Sequence, residues 1–268
     1  MTASPRRLRL VFIGWGAIAR SAADLLDSTL TEIVAVGIRS DVACDELPPD
    51  AQVIKDPNEL ALIDADLVIE AAGQASVAQW GFSALEAGMD FIVSSVSAFA
   101  DAELLESMRG TAERSGSRLE IHAGALGGVD ALAAARVLGI DTVEHRIVKP
   151  PRAWCDTPAE GLCDLDALDH AHAFFHGSAA EAASAFPKNA NVAMTTALAG
   201  IGADRTRISL VADPEASTNR HEISAIGAFG KLAVTMSNKP LEANPKTSAM
   251  TALNLVRAIH NRVAPLVL

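Results

Sequence analysis

Two kinds of residue in this chain could do chemistry: glycines that bare the backbone to an anion, and scattered histidines and lysines. The glycines come first. Leu8-Arg9-Leu10-Val11-Phe12-Ile13-Gly14-Trp15-Gly16-Ala17-Ile18-Ala19 is an apolar run that breaks into a Gly-x-Gly-x-x-Ala turn. After a strand and before a helix, the first glycine permits the tight turn and the second lets backbone approach a pyrophosphate. The small third residue lets helix and strand pack closely, and alanine serves there as glycine does. The free N–H groups and positive end of the following helix then favour the anion. Ile18, Ala22, Leu25 and Leu26 give that helix its apolar stripe. Gly14, Gly16, Ala17 and Ile18 are therefore expected contacts of a dinucleotide, and the chemistry implied is that of a nicotinamide cofactor, NAD or NADP.

Choice between the two cofactors rests on the end of the second strand. An acidic residue there bonds the ribose 2′-hydroxyl of NAD, and a cation pairs with the 2′-phosphate of NADP. The sequence reads Gly37-Ile38-Arg39-Ser40-Asp41. Arg39 and Ser40 suit the phosphate, Asp41 suits the hydroxyl if the register slips, and Arg39 also reads as a solvated loop residue. Use of both cofactors is expected.

Later in the chain, four segments gather polar groups. Gly124-Ala125-Leu126-Gly127-Gly128-Val129-Asp130 is a second glycine cluster that opens a helix. Phe186-Pro187-Lys188-Asn189-Ala190-Asn191-Val192 sets a lysine and two amides ahead of another. Asn219-Arg220-His221-Glu222-Ile223 puts a histidine in an alternating strand, and Asn244-Pro245-Lys246-Thr247-Ser248 precedes a final helix. On the strand 220–227, His221, Ile223 and Ala225 share one face and Arg220, Glu222 and Ser224 the other. His221 thus points inward, either as a satisfied core residue or as a base that titrates near neutral pH. Lys188 and Lys246 stand just ahead of helices, as anchors for a carboxylate or as solvated lysines. His170, His172 and His176 lie near Asp164, Asp166 and Asp169, with His172 and His176 four apart on an expected helix. No Glu-x-x pattern joins them and hydride chemistry needs no metal, so no metal site is expected. His122 and His145 are expected at strand ends.

The elements that must position these groups follow from hydrophobic pattern. Residues 8–13, 33–38, 66–73, 91–93 and 119–122 read as short buried strands alternating with helices, one of them over 77–87 and stopped by Gly88. That predicts an α/β fold, a doubly wound Rossmann-type parallel sheet over residues 1–123, with the cofactor across the carboxyl ends of its strands. Beyond residue 124 the pattern changes. A strand over 144–149, a polar-edged helix over 164–175 and a small-residue helix over 189–200 are expected. Residues 206–212 and 220–227 read as antiparallel strands, and 231–236 completes a hairpin through Gly230. This is an α+β substrate domain over 124–244, with the C-terminal helix in 245–268 packing back on the first domain.

Composition bounds the function. Among 268 residues half are hydrophobic, enough for ample cores, and 33 acidic against 22 basic residues give a net charge of −11. Such a balance disfavours nucleic acid and anionic membranes as partners. No apolar run follows Pro5-Arg6-Arg7, so no secretory signal is expected. Three scattered cysteines suggest reduced thiols and a cytoplasmic protein. There is no tyrosine, which excludes the Tyr-Lys proton donor of a short-chain dehydrogenase.

Taken together, the glycine turn, the loop Glu70-Ala71-Ala72-Gly73-Gln74, the run Lys149-Pro150-Pro151 and the four later segments resemble the L-aspartate dehydrogenase family over nearly the whole chain. The resemblance implies oxidative deamination of L-aspartate with NAD or NADP, through iminosuccinate, towards oxaloacetate and ammonia. It implies that His221 is the active-site histidine and that Ala125 and Asn191 contact the cofactor. Two substrate carboxylates call for convergent cations, for which Lys188 is the better placed lysine and a second candidate for proton transfer. A homodimer is expected. Whether iminosuccinate is hydrolysed in the site or passed to quinolinate formation in NAD biosynthesis stays open. Other nicotinamide oxidoreductases, homoserine-dehydrogenase-like or dihydrodipicolinate-reductase-like, would share the first half, as would a non-enzymatic dinucleotide sensor.

Overall fold

A computed structural model gives the fold for residues 6–39 and 47–267, with Lys188, Pro245 and Lys246 described by backbone alone. It divides into two compact units, residues 1–122 with 252–268, and residues 123–251.

In the first unit, short aliphatic runs form parallel strands because both faces are covered, leaving no polar side to alternate. They are β1 (Leu8–Ile13), β2 (Thr31–Gly37), β3 (Gln52–Ile54), β4 (Leu67–Glu70), β5 (Asp90–Val93) and β6 (Leu119–Ile121). The sheet order is β3-β2-β1-β4-β5-β6, with every neighbouring pair parallel. Helices α1 (Ala17–Ala23), α2 (Gln74–Glu86) and α3 (Ala102–Ser115) come between strands. The strand order reverses between β1 and β4, and there the crevice at their carboxyl ends opens. Leu10, Phe12, Leu67, Ile69 and Ile92 are fully buried in one cluster. Each such side chain contributes about 1.5–3 kcal/mol.

The second unit is built on a mixed sheet. In chain order it holds α4 (Val129–Ala135), β7 (Ile140–Lys149), β8 (His172–Ser178), α5 (Ala179–Ala185), α6 (Ala190–Ala199), β9 (Arg207–Ala212), β10 (Asn219–Gly227) and β11 (Gly230–Asn238). The five strands lie in the order β11-β10-β7-β9-β8. The expected hairpin forms, with Gly227 opposite Gly230. Strands β9 and β10 run in opposite senses but do not pair. β7 lies between them, antiparallel to β10 and parallel to β9. A parallel pair needs a long crossover, which β8, α5 and α6 supply.

One further expectation fails. Residues 164–175 are not a helix: turns lead into β8, which begins at His172. The aspartates explain it, because the Asp164 carboxylate accepts from the Asp166 amide at 3.2 Å and its carbonyl from Ala167 at 3.3 Å. Side chains that bond local backbone favour turns over helix. The segment Asn244–Ser248 does precede the final helix, and it is itself a short strand. β12 (Pro240–Leu241) pairs with β13 (Asn244–Ser248), and α7 (Ala249–His260) begins after it. The Ser248 hydroxyl accepts from the Met250 amide at 3.1 Å, the usual way to satisfy a helix start. Ala252, Leu255, Val256 and Ile259 of α7 pack in the cluster with Leu10 and Phe12.

Candidate active site

At the end of β1, Gly14 has φ +86°. A Cβ built there would stand 2.7 Å from Ala72 Cα, so only glycine fits, for conformation and for space. The neighbouring loop is close because its Ala71 amide bonds the Ile13 carbonyl at 2.8 Å, while the Gly14 amide bonds Gly37 O at 2.7 Å. Gly16 is the opposite case, with open space where its Cβ would be. The first bond of α1 runs from Arg20 N–H to Gly16 O at 3.0 Å. The earlier amides, of Ala17, Ile18 and Ala19, have no intrahelical acceptor, and no side chain caps them. This cradle of backbone donors fits a dinucleotide pyrophosphate. Arg39 is exposed just beyond β2, while Ser40 and Asp41 lie outside the described residues.

Beneath the cradle sits Glu70, completely buried at the end of β4. Its carboxylate accepts from the amides of Ala72 at 2.9 Å, Gly73 at 2.7 Å and Ser95 at 2.9 Å, and from the Ser95 hydroxyl at 2.9 Å. The charge is thus held by donors of the two loops that follow β4 and β5. Its part is to shape the loop that Gly14 abuts.

In the second unit, one face of the mixed sheet carries a row of polar groups. Alternation puts His145, Ile147 and Lys149 of β7 on that face. Asn219 and His221 of β10 and Met236 and Asn238 of β11 share it, and register sets Asn219 opposite Asn238 and His221 opposite Met236. His221 is 4% exposed. Burial first, and the Lys149 charge second, push its pKa down to about 3, so the ring is neutral at ordinary pH. Loss of hydration lowers Lys149 to about 8. Its ammonium donates to Asn189 Oδ1 and stands 4.9 Å from the centre of the Trp154 ring. A cleft of about 510 Å³ opens beside it, lined among others by Lys149, Arg152, Asn189, Asn219 and Asn238.

His145 is not at a strand end. It lies mid-strand in β7, 1% exposed, with Nε2 3.1 Å from His221 Nδ1 and Nδ1 2.9 Å from Thr196 Oγ1. Burial and then His221 hold its pKa well below the usual histidine value. Ala125 is buried, and its carbonyl accepts from Asn238 Nδ2 at 2.8 Å. That bond fixes the Asn238 amide and leaves its Oδ1 buried with no hydrogen-bond partner. An acceptor in that state suits an N–H brought by a ligand. Gly128, at φ +70° before α4, would place a Cβ 2.7 Å from Val234, which fixes the second glycine cluster against β11.

The sequence-derived candidates therefore fall into two sets. Gly14, Gly16, Ala17, Ile18 and Arg39 belong to the first unit, and Ala125, Lys188, Asn191 and His221 to the second. Asn191 is exposed at the start of α6, and Lys188 lies in the turn Pro187–Asn189, its side chain outside what is described, as is that of Lys246. His170, His172 and His176 do not converge: His170 pairs with Asp169, and His176 lies on Ser209 at 2.9 Å. No group of three or more metal-ligating side chains occurs among the described residues. Thr196 and Asn238 escaped the sequence reading, and Glu70 and His145 were named there without a role in a site. An acid closing the run Leu67-Val68-Ile69-Glu70 was the only local signal among them.

The family described as "Homoserine dehydrogenase, NAD binding domain" matches residues 14–122, and that described as "Aspartate dehydrogenase, C-terminal" matches residues 130–262. With the parallel sheet and its glycine turn, they define a two-part oxidoreductase with a nicotinamide-dinucleotide half. An L-aspartate dehydrogenase of Brucella anthropi is 53% identical over 262 residues, 97% of this chain and 98% of that one. Another, of Polaromonas sp., is 44% identical over 269 residues, 97% of this chain and all of that one. The crystal structure of aspartate dehydrogenase from Thermotoga maritima has the same fold, with a TM-score of 0.80 over 98% of this chain and 100% of that one at 24% identity. The chain belongs to the L-aspartate dehydrogenase family.

Proposed function

We propose that this chain oxidatively deaminates L-aspartate with NAD or NADP, through iminosuccinate, to oxaloacetate and ammonia. The observation that carries the reading is His221, neutral and inward, beside the Lys149 ammonium in a chain of this family. When bound, the nicotinamide ring supplies the hydride acceptor for the substrate Cα. The amides of Ala17, Ile18 and Ala19 would hold its pyrophosphate, Arg39 would pair with the adenosine end, and Ala125 and Asn191 are the cofactor contacts proposed from the second unit.

The cleft beside Lys149 offers two cations, Lys149 and Arg152, to a substrate with two carboxylates. Lys188 is a third candidate from the neighbouring turn. His221 accepts a proton from the water that attacks the imine carbon and returns one to the departing nitrogen. Aspartate and water become oxaloacetate and ammonium, two electrons and one proton leave with the cofactor, and one proton goes to solvent. No helix among the described residues is long and apolar enough to cross a membrane. A cytoplasmic homodimer is the form we propose.

Initial rates across a panel of amino acids with NAD and NADP test the reading. Carboxylate-binding groups left unpaired by a shorter or neutral substrate penalise it heavily, so aspartate should far exceed alanine and asparagine in kcat/KM. Comparable values for aspartate and alanine would rule the assignment out, and total rejection of NADP would remove the role given to Arg39.

A further inference from the structure

The hydrogen bonds behind His221 have a direction, and Thr196 sets it. Thr196 has one hydroxyl proton and two close neighbours, the Val192 carbonyl at 3.1 Å and His145 Nδ1 at 2.9 Å. A carbonyl oxygen can only accept, so the hydroxyl proton goes to Val192. His145 Nδ1 must then be the donor to Thr196 Oγ1. A neutral imidazole carries one N–H, so His145 Nε2 is left with a lone pair. At 3.1 Å from that lone pair, His221 Nδ1 carries the proton. The opposite direction would set the Thr196 oxygen lone pairs against the Val192 carbonyl, in a spot where Thr196 is 0% exposed and water cannot relieve it.

We propose that His145, oriented by Thr196, is a positioning residue that holds His221 as the Nδ1–H tautomer and leaves His221 Nε2 as the free base. The inference rests on the reading of His221 as the base. When Nε2 takes a proton from water, both ring nitrogens of His221 carry hydrogen. The Nδ1–H bond to His145 then becomes charge-assisted and strengthens as the positive charge forms. No proton passes down the chain, so His145 and Thr196 stay neutral throughout. The tilt of 58° between the two rings, with centroids 5.3 Å apart, fits an in-plane lone pair meeting an N–H rather than a stacked pair.

The test reads the tautomer directly. In the free wild-type protein labelled with ¹⁵N-histidine, the two ring nitrogens of His221 are expected to show Nδ1 protonated and Nε2 bare. Thr196→Val keeps the shape but removes the acceptor, so His145 loses its bias and His221 should populate both tautomers. Turnover of Thr196→Val should fall in proportion to the lost Nδ1–H population, roughly twofold to tenfold. KM for aspartate and Kd for NAD should hold within about twofold, and Thr196→Ser should restore both tautomer and turnover. Finding Nε2 protonated in the wild type would overturn the proposal while leaving the aspartate reading intact. So would a Thr196→Val protein with unchanged tautomer and turnover.

Discussion

The first unit offers backbone groups to a ligand, whereas the second offers side chains that satisfy one another inside the protein. At the glycine turn the offered groups are amides, and Glu70 below them is spent on the surrounding loops. On the mixed sheet the offered groups are His221 and Lys149, held by His145, Thr196 and Asn189. Backbone donors are the same whatever the residue, so the first site tolerates changes of side chain except where a Cβ intrudes. A chain of buried side chains has no such slack, because removing one member strands the next.

The largest effect should come from His221→Ala. Loss of the base is expected to lower turnover roughly a hundredfold to ten-thousandfold, with NAD affinity in a titration of the same preparation unchanged. Turnover within a few-fold of wild type would make His221 a packing residue and move the base elsewhere, Lys188 first.

Gly14→Ala should strike the other unit alone. The strained φ and the overlap with Ala72 carry roughly 1–3 kcal/mol of strain. NAD affinity should therefore fall by about tenfold to a hundredfold by calorimetry. Binding of succinate, a dicarboxylate that needs only the second site, should hold. Intact NAD affinity would show that the cradle does not depend on that glycine.

The smallest effect concerns charge. Lys149 has its pKa lowered to about 8, so its positive charge is present below that pH and lost as pH rises through it. Succinate affinity should weaken roughly fourfold between pH 7 and 8.5, where an ordinary lysine would change nothing. Lys149→Met should bind more weakly at pH 7 and show no such slope. A flat profile in the wild type would remove Lys149 from carboxylate binding.

The same contrast explains what could be read in advance. The glycine turn is contiguous, and each of its residues has a local reason, so strand, turn and helix were legible together. The inward set of His221, Ile223 and Ala225 was legible too, because alternation within one strand suffices. His145 was not. It is separated from His221 by 76 residues, and its place depends on the register that sets His221 opposite Ile147. Lys149 stood in a family motif without a role for the same reason. Residues 164–175 misled because the aspartates carry a polar pattern that suits a helix edge, yet their carboxylates close turns. The pairing of β9 was hidden by the crossover that lets β7 slip in beside it.

The course of the chain also bears on how the protein is made. Residues 123–251 are continuous, so this unit can close as soon as they have left the ribosome. The first unit cannot, although its six strands are synthesised earlier, because Ala252, Leu255, Val256 and Ile259 complete the cluster around Leu10 and Phe12. Until α7 arrives, those strands wait with an apolar flank bare to the cell, the condition in which nascent chains are captured by chaperones or by one another. The half that emerges first is the half that finishes last.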